Sequence, residues 1–284
     1  MTALPDPYDL SSSSCSCRAY AHGAHVVEWT PSGGHPGLWL SPRATLDSAS
    51  AIRGGVPVVF PWFGSGLSGA MMPSHGFGRL SDWSLASLDR QPEAATAEFG
   101  LDSRQVSSDE FPHAFEARYT ITAGEHLALA LTVSNTGDAP FICEMALHAY
   151  LCVADVTRIS VEGLDGALFA DKVAGASDPL PTQSGEITFA GEVDRIYRST
   201  GEVRVIDPVL GRALVVRKSG SRSTIVWNPG AARAAEPKAA DIGADHWREF
   251  VCIEGGNVAD DAVHLAGGES RTMTYELHVE LLAG

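Results

Sequence analysis

The sequence predicts an all-β protein, on three observations. Phe115, Ala117, Tyr119 and Ile121 alternate with Glu116, Arg118 and Thr120; Gly124-Glu125 interrupts, and Leu127, Leu129, Leu131 and Val133 alternate on the way back. Period two on both arms of a turn is a β-hairpin with one buried face. Short apolar runs recur along the chain, punctuated by Gly, Pro, Asp and Asn, which is the spacing of a sandwich or barrel-like stack of sheets. Third, the 3.6-residue period of amphipathic helices is weak throughout.

The elements follow in order. Residues 1–16 are rich in Pro, Asp and Ser and end in the run Ser11 to Ser14, so a flexible N-terminal tail, or a segment draped on the domain, is expected. Residues 17–284 then read as one domain, with no composition break and no internal repeat. Arg18 to Trp29 reads as a first strand; Gly33-Gly34-His35-Pro36-Gly37 is a turn, and Leu38 to Leu40 a second short strand. Ala51 to Leu80 holds a short apolar segment, Val56 to Phe63, between glycine-rich loops that carry Arg53 and Arg79. Strands are expected at Trp83–Leu88 and Ala95–Leu101, then in the hairpin, then within the apolar stretch Phe141–Val153. Later candidates are Arg158–Leu164, Glu186–Ala190, Glu202–Ile206, Ala213–Arg217, Ser223–Trp227, Glu249–Ile253 and Arg271–Leu282. Ala231 to Asp245 is the one helical or irregular insertion, with Pro229 and Pro237 limiting its regularity.

Composition narrows the function. The 284 residues carry a formal charge of -15, which argues against nucleic acid, because a phosphate backbone needs a basic surface. A small phosphorylated ligand needs only a local cationic pocket. The five cysteines are odd in number and match no zinc-type spacing, so free thiols in a reducing compartment are expected. No signal-like segment and no run of eighteen apolar residues is present, so a cytoplasmic protein without a membrane span is expected.

The polar residues that interrupt apolar segments are the candidates for chemistry. Glycines beside Arg53 and Arg79 let a backbone approach a ligand closely, and guanidinium groups suit phosphate; the same residues also suit an ordinary solvated loop. His75 lies in PSHGFGR, His148 in MALHAYLCV, Asp194 in GEVDRIY and Glu254 in FVCIEGGNV. Taken singly, each has a plain structural alternative. Glu254 can be a strand-end carboxylate facing water just before a Gly255-Gly256 turn, His148 a core histidine bonded to a carbonyl, and Asp194 the partner of Arg195 in a surface ion pair.

Together they carry a resemblance. IRGGVPVVFPWFG, HGFGR, LHAYL, DRIY, WNPG and CIEGGN occur in that order over roughly residues 50 to 257. The chain resembles the aldose 1-epimerase (galactose mutarotase-like) superfamily, and within it the D-hexose-6-phosphate 1-epimerases. The resemblance implies a β-supersandwich with few short helical segments and a sugar bound in an open cleft. It implies His148 as general acid and Glu254 as general base, His75 and Asp194 as sugar-holding residues, and Arg53 and Arg79 near the phosphate. Ser74 stands where many relatives carry Gln, Gly78 where Ala is frequent, and Gly255-Gly256 where a bulkier pair is common; these bear on sugar preference. The implied chemistry is ring opening and reclosure at C1 by one base and one acid on opposite sides, with no metal or organic cofactor. The expected partner is a small hexose 6-phosphate, with no nucleic acid or membrane, and the expected state is a monomer. Rival readings are a non-catalytic sugar-binding module, an epimerase of free hexoses, and a metal enzyme using His75, His148 and Glu254 as ligands.

Overall fold

In the computed structural model, residues 2–106, 109, 111–175 and 177–283 are described. The strands in chain order are β1 (Tyr8–Asp9), β2 (Cys15–Tyr20), β3 (His25–Pro31), β4 (Val58–Val59), β5 (Ser84–Arg90), β6 (Ala95–Asp102), β7 (Phe115–Ala123), β8 (Leu127–Asn135), β9 (Phe141–Cys143) and β10 (Met145–Leu147). There follow β11 (Tyr150–Cys152), β12 (Ser160–Glu162), β13 (Phe169–Asp171), β14 (Val193–Arg198), β15 (Val203–Asp207), β16 (Arg212–Ser219), β17 (Ser223–Asn228), β18 (Phe250–Asn257), β19 (Val263–Leu265) and β20 (Ser270–Leu281). Among the described residues the single α-helix, α1, is Gly230–Ala234, inside the expected insertion.

Two large antiparallel sheets carry the fold. One has the order β12-β15-β16-β20-β8-β7-β6-β5; the other runs β13-β14-β17-β18-β10-β4, with β11 also on β18. The β7–β8 hairpin pairs from Phe115↔Asn135 to Ala123↔Leu127, and its strict alternation of buried and less buried residues is what the period-two pattern predicts. The Tyr275 hydroxyl on β20 donates to the Ile253 carbonyl on β18 at 2.9 Å, tying the two sheets across a core that includes Phe99, Tyr119, Leu129, Ile253 and Leu277. Each such side chain contributes about 1.5–3 kcal/mol when fully buried.

Two strand expectations are corrected. The stretch from Arg18 to Trp29 is two strands: Gly23, at φ +72°, turns the chain between β2 and β3. Of the two alternatives for residues 1–16, part of the segment is draped on the domain, where it supplies β1, which pairs with β2. Leu10 is fully buried and Tyr8 packs 5.6 Å from Phe99; two apolar side chains seat a segment whose average composition is polar. The strand ending at Ile253 instead continues to Asn257. Its glycines are not a turn: a Cβ on Gly256 would lie 3.1 Å from Ala146 Cβ and 3.2 Å from Ile225 Cδ1, so a bare backbone is what fits between those neighbours.

Candidate active site

The register of β18 with β10 and β11 brings two of the candidate residues together. β10 pairs Leu147↔Gly255 and β11 pairs Tyr150↔Cys252. The register is the same on both sides of the two-residue gap, which sets His148 directly across from Glu254. Opposite residues of an antiparallel pair share a face, and His148 Nε2 lies 3.4 Å from Glu254 Oε1. Both side chains are buried, 8% and 1% exposed. The imidazole stacks on Tyr150 at 4.8 Å and 9° and meets Trp227 edge-on at 5.9 Å, so its plane is held by packing. His148 Nδ1 and Glu254 Oε2 have no protein partner. Two unsatisfied buried atoms on one contacting pair of side chains are unusual in a core and ordinary in a site that receives a polar ligand.

Electrostatics favour the uncharged form of each member of this pair. Burial, reinforced by Asp194, pushes the Glu254 carboxyl well above its usual range. Burial, reinforced by Arg79 and Arg53, pushes His148 well below 6.5. A neutral imidazole beside a carboxylic acid holds the same number of protons as an imidazolium beside a carboxylate, so one proton moving across the 3.4 Å contact interconverts the two forms. The two groups titrate as a unit.

The other four predicted residues border the same cleft, of about 760 Å³, within the size range of small-ligand sites. His75 sits at φ +66°, in the left-handed region that few non-glycine residues adopt. Its backbone N–H donates to the Gly64 carbonyl at 2.7 Å, and its Nδ1 accepts from the Gly64 N–H at 3.3 Å. That leaves the proton of the neutral ring on Nε2; burial, then Arg79 and His148, hold the ring well below its usual pKa. Gly76 follows at φ +72°, where a Cβ would stand 2.1 Å from the Phe60 carbonyl oxygen; the turn that presents His75 therefore requires glycine.

Asp194 does not pair with Arg195. Successive strand residues point to opposite faces: Arg195 turns to Asp171 at 3.0 Å, while Asp194 turns to the cleft and meets Lys172 at 3.5 Å. The two arginines differ. Arg53 donates from Nε to Asp241 at 2.9 Å and from Nη1 to the Tyr150 hydroxyl at 2.9 Å. Burial opposes its charge, but Tyr150 and Asp241 outweigh it and raise its pKa. Arg79 donates from Nη2 to the Ser74 carbonyl at 2.7 Å, and its buried Nε has no partner; burial lowers it to about 10.

Sequence reasoning missed four residues that shape the cleft. Tyr150 supports both His148 and Arg53, and its signal was present, since residues two apart on a strand share a face. Glu144 accepts from the Phe63 N–H at 3.0 Å and the Ala259 N–H at 2.7 Å, pinning two loops of the rim. Lys172 and Asp241, the ion-pair partners of Asp194 and Arg53, lie in irregular segments and had no local signal. Among the described residues, His75, His148 and Glu254 are not grouped as a shared metal-ligand set; the one group with such spacing lies elsewhere.

Known proteins share this arrangement of sheets. The model of the aldose 1-epimerase family matches residues 6–278. A protein of Escherichia coli K12 named "Putative glucose-6-phosphate 1-epimerase" is 34% identical over 233 residues, covering 82% of this chain and 76% of the relative. A plant protein of the same name, from Cenchrus ciliaris, is 31% identical over 253 residues, covering 84% and 74%. The crystal structure of "a putative mutarotase (YeaD)" from Salmonella typhimurium superposes with a TM-score of 0.85 at 27% identity, covering 96% of this chain and 91% of that one. At 14% identity and a TM-score of 0.71, a galactose mutarotase-like protein from Lactobacillus casei shares the fold, with 96% and 100% covered. The match runs through both large sheets and every strand that lines the cleft, and the chain belongs to the aldose 1-epimerase family.

Proposed function

We propose that this chain is a glucose-6-phosphate 1-epimerase, interconverting the α and β anomers of a hexose 6-phosphate in the cytoplasm as a monomer, with His148 as general acid and Glu254 as general base. The observation that carries the reading is the buried His148–Glu254 pair, 3.4 Å apart at the floor of an open cleft. In the charged form of the pair, Glu254 takes the proton of the C1 hydroxyl while His148 gives one to the ring oxygen. The C1–O5 bond breaks, the open aldehyde rotates about C1–C2, and the reverse transfers close the ring on the other face. O1 and O5 are both bonded to C1, so an acid and a base side by side serve better than a pair on opposite sides of the sugar. Ring opening leaves a neutral imidazole and a carboxylic acid, the form that burial favours, and each group then works in the reverse sense for closure. Each positioned group typically contributes ~10²–10⁴-fold.

Around this centre, the neutral His75 donates from Nε2 and Asp194 accepts from sugar hydroxyls. Arg53 and Arg79 take the 6-phosphate, whose binding energy holds C1 in register without touching the reacting atoms. The curated relatives named for glucose 6-phosphate support this substrate class. The test is anomerisation rate over a panel of hexoses with and without a 6-phosphate, followed by exchange NMR. A marked preference for the phosphorylated sugars is expected. Equal rates favour a free-hexose epimerase, and no acceleration over buffer favours a binding module.

A further inference from the structure

On the outer face of the eight-stranded sheet, away from the cleft, His126, Glu276 and His278 place one donor atom each within 4.8 Å of one another. The pairing of β8 with β20 runs Ala128↔Glu276 and Leu127↔Leu277. One step further it sets His126, at the end of the hairpin turn, across from His278. The two rings lie 4.7 Å apart at 20°, and Glu276, two residues before His278, shares their face. Glu276 Oε1 lies 3.4 Å from His126 Nδ1 and 3.8 Å from His278 Nδ1. Two donors bonded to one tetrahedral zinc at ~2.0–2.1 Å stand roughly 3.4 Å apart.

The second observation is the state of His278, which is 7% exposed. Its Nε2 lies 3.4 Å from Glu280 Oε1. A carboxylate accepts, so this contact engages Nε2 and leaves Nδ1 as the ring nitrogen open to another partner. Nδ1 is buried and has no hydrogen-bond partner, and it stands 3.8 Å from Glu276 Oε1. A carboxylate behind a histidine, with the other ring nitrogen free and aimed at further donors, is how proteins prepare an imidazole for a metal. Arg204 holds Glu280 at 2.7 Å. Arg217 reaches Glu276 only at 3.8 Å, its closer partner being Glu202 at 2.7 Å, so Glu276 is not held in a tight ion pair with it.

We propose that His126, Glu276 and His278 form a binding site for a divalent transition metal of the zinc class, oriented by Glu280, that clamps the end of the β7–β8 hairpin to β20. The donor set of two imidazoles and one carboxylate suits Zn²⁺ or Co²⁺ over Mg²⁺ or Ca²⁺. The site is distinct from the cleft and takes no part in the proposed reaction.

The experiment titrates the purified, metal-stripped full chain with Zn²⁺ by calorimetry, and with Co²⁺ by visible absorption. One equivalent is expected to bind at micromolar or tighter affinity, with Co²⁺ bands of low coordination and a raised melting temperature. His126→Ala, at a half-exposed position that folding tolerates, should weaken binding at least tenfold. His278→Gln should abolish it, and Glu280→Gln should weaken it ~10–100-fold, as expected when a ligand loses its orienting carboxylate. His148→Asn, in the cleft, should leave the equivalent in place. The proposal is overturned if no stoichiometric binding is seen, if His126→Ala binds as the parent does, or if His148→Asn removes the metal.

Discussion

Replacing Arg79 by Ala tests the phosphate assignment most sharply, because the structure separates Arg79 from Arg53. Arg79 spends one donor on the Ser74 carbonyl and keeps a buried Nε without a partner. A guanidinium with unspent donors at a cleft wall is what a phosphate oxygen would complete. A charge-assisted contact is worth about 1.5–3 kcal/mol. At ~1.4 kcal/mol per tenfold, its loss corresponds to a roughly 10- to 150-fold fall in kcat/KM for the 6-phosphate. The phosphate is remote from C1, so most of the fall should appear in KM. Unphosphorylated glucose should be handled as well as before, and Arg79→Lys should recover only part of the loss because the ammonium lacks the planar fork. Arg53→Ala should behave differently. It strands Asp241 and removes the partner of the Tyr150 hydroxyl, and Tyr150 is the ring on which His148 stacks, so both sugars should suffer, with a loss in kcat. The assay is kcat/KM for both sugars in each variant, with thermal unfolding alongside. Equal losses for the two sugars in Arg79→Ala would refute a phosphate contact there.

Glu254→Gln and His148→Asn should each nearly abolish anomerisation while sugar phosphate still binds, and the double variant should be little slower than either single one, since both act in one transition state; strictly multiplicative losses would count against a shared step. The pH profile should have an acid limb set by His148 and an alkaline limb set by Glu254. Activity is lost on the acid side when His148 gains a proton beside a protonated Glu254, and burial with Arg79 and Arg53 places that limb below 6.5; it is lost on the alkaline side when Glu254 ionises, a limb raised well above 4.5. Measured with glucose, to avoid the phosphate's own titration near ~6, an acid limb at or above 6.5 would contradict the buried pair. Arg79→Ala should move that limb upward, because it removes a positive charge that disfavours imidazolium. Gly76→Ala should lower the unfolding free energy measured by denaturant titration, by about 1–3 kcal/mol for the left-handed backbone alone and further for the contact with the Phe60 carbonyl; unchanged stability would show that the turn can relax.

The sequence by itself determined the fold class and picked out six residues that line one cleft. Alternation from Phe115 to Val133 is a local property, and it fixes which side chains of β7 and β8 are buried whatever those strands pair with. The six ordered motifs likewise named His75, His148, Asp194, Glu254, Arg53 and Arg79 before any geometry was available, and all six border one cleft. Pairing and register were decided only by the tertiary structure, because they depend on residues far apart in the chain. No local pattern sets His148 opposite Glu254; the common register of β10 and β11 on β18 does. Nor does any local pattern distinguish Arg53, tied to Asp241, from Arg79, which keeps a free donor, or send Asp194 to Lys172 instead of Arg195. The glycines after Glu254 read as a turn in sequence, since glycine is equally the residue of turns and of crowded strand centres. Only the neighbours of Gly256, supplied by two distant segments of the chain at Ala146 and Ile225, show which demand it meets. The same holds for His126 and His278, ordinary histidines in sequence that the pairing of β8 with β20 stacks around one carboxylate.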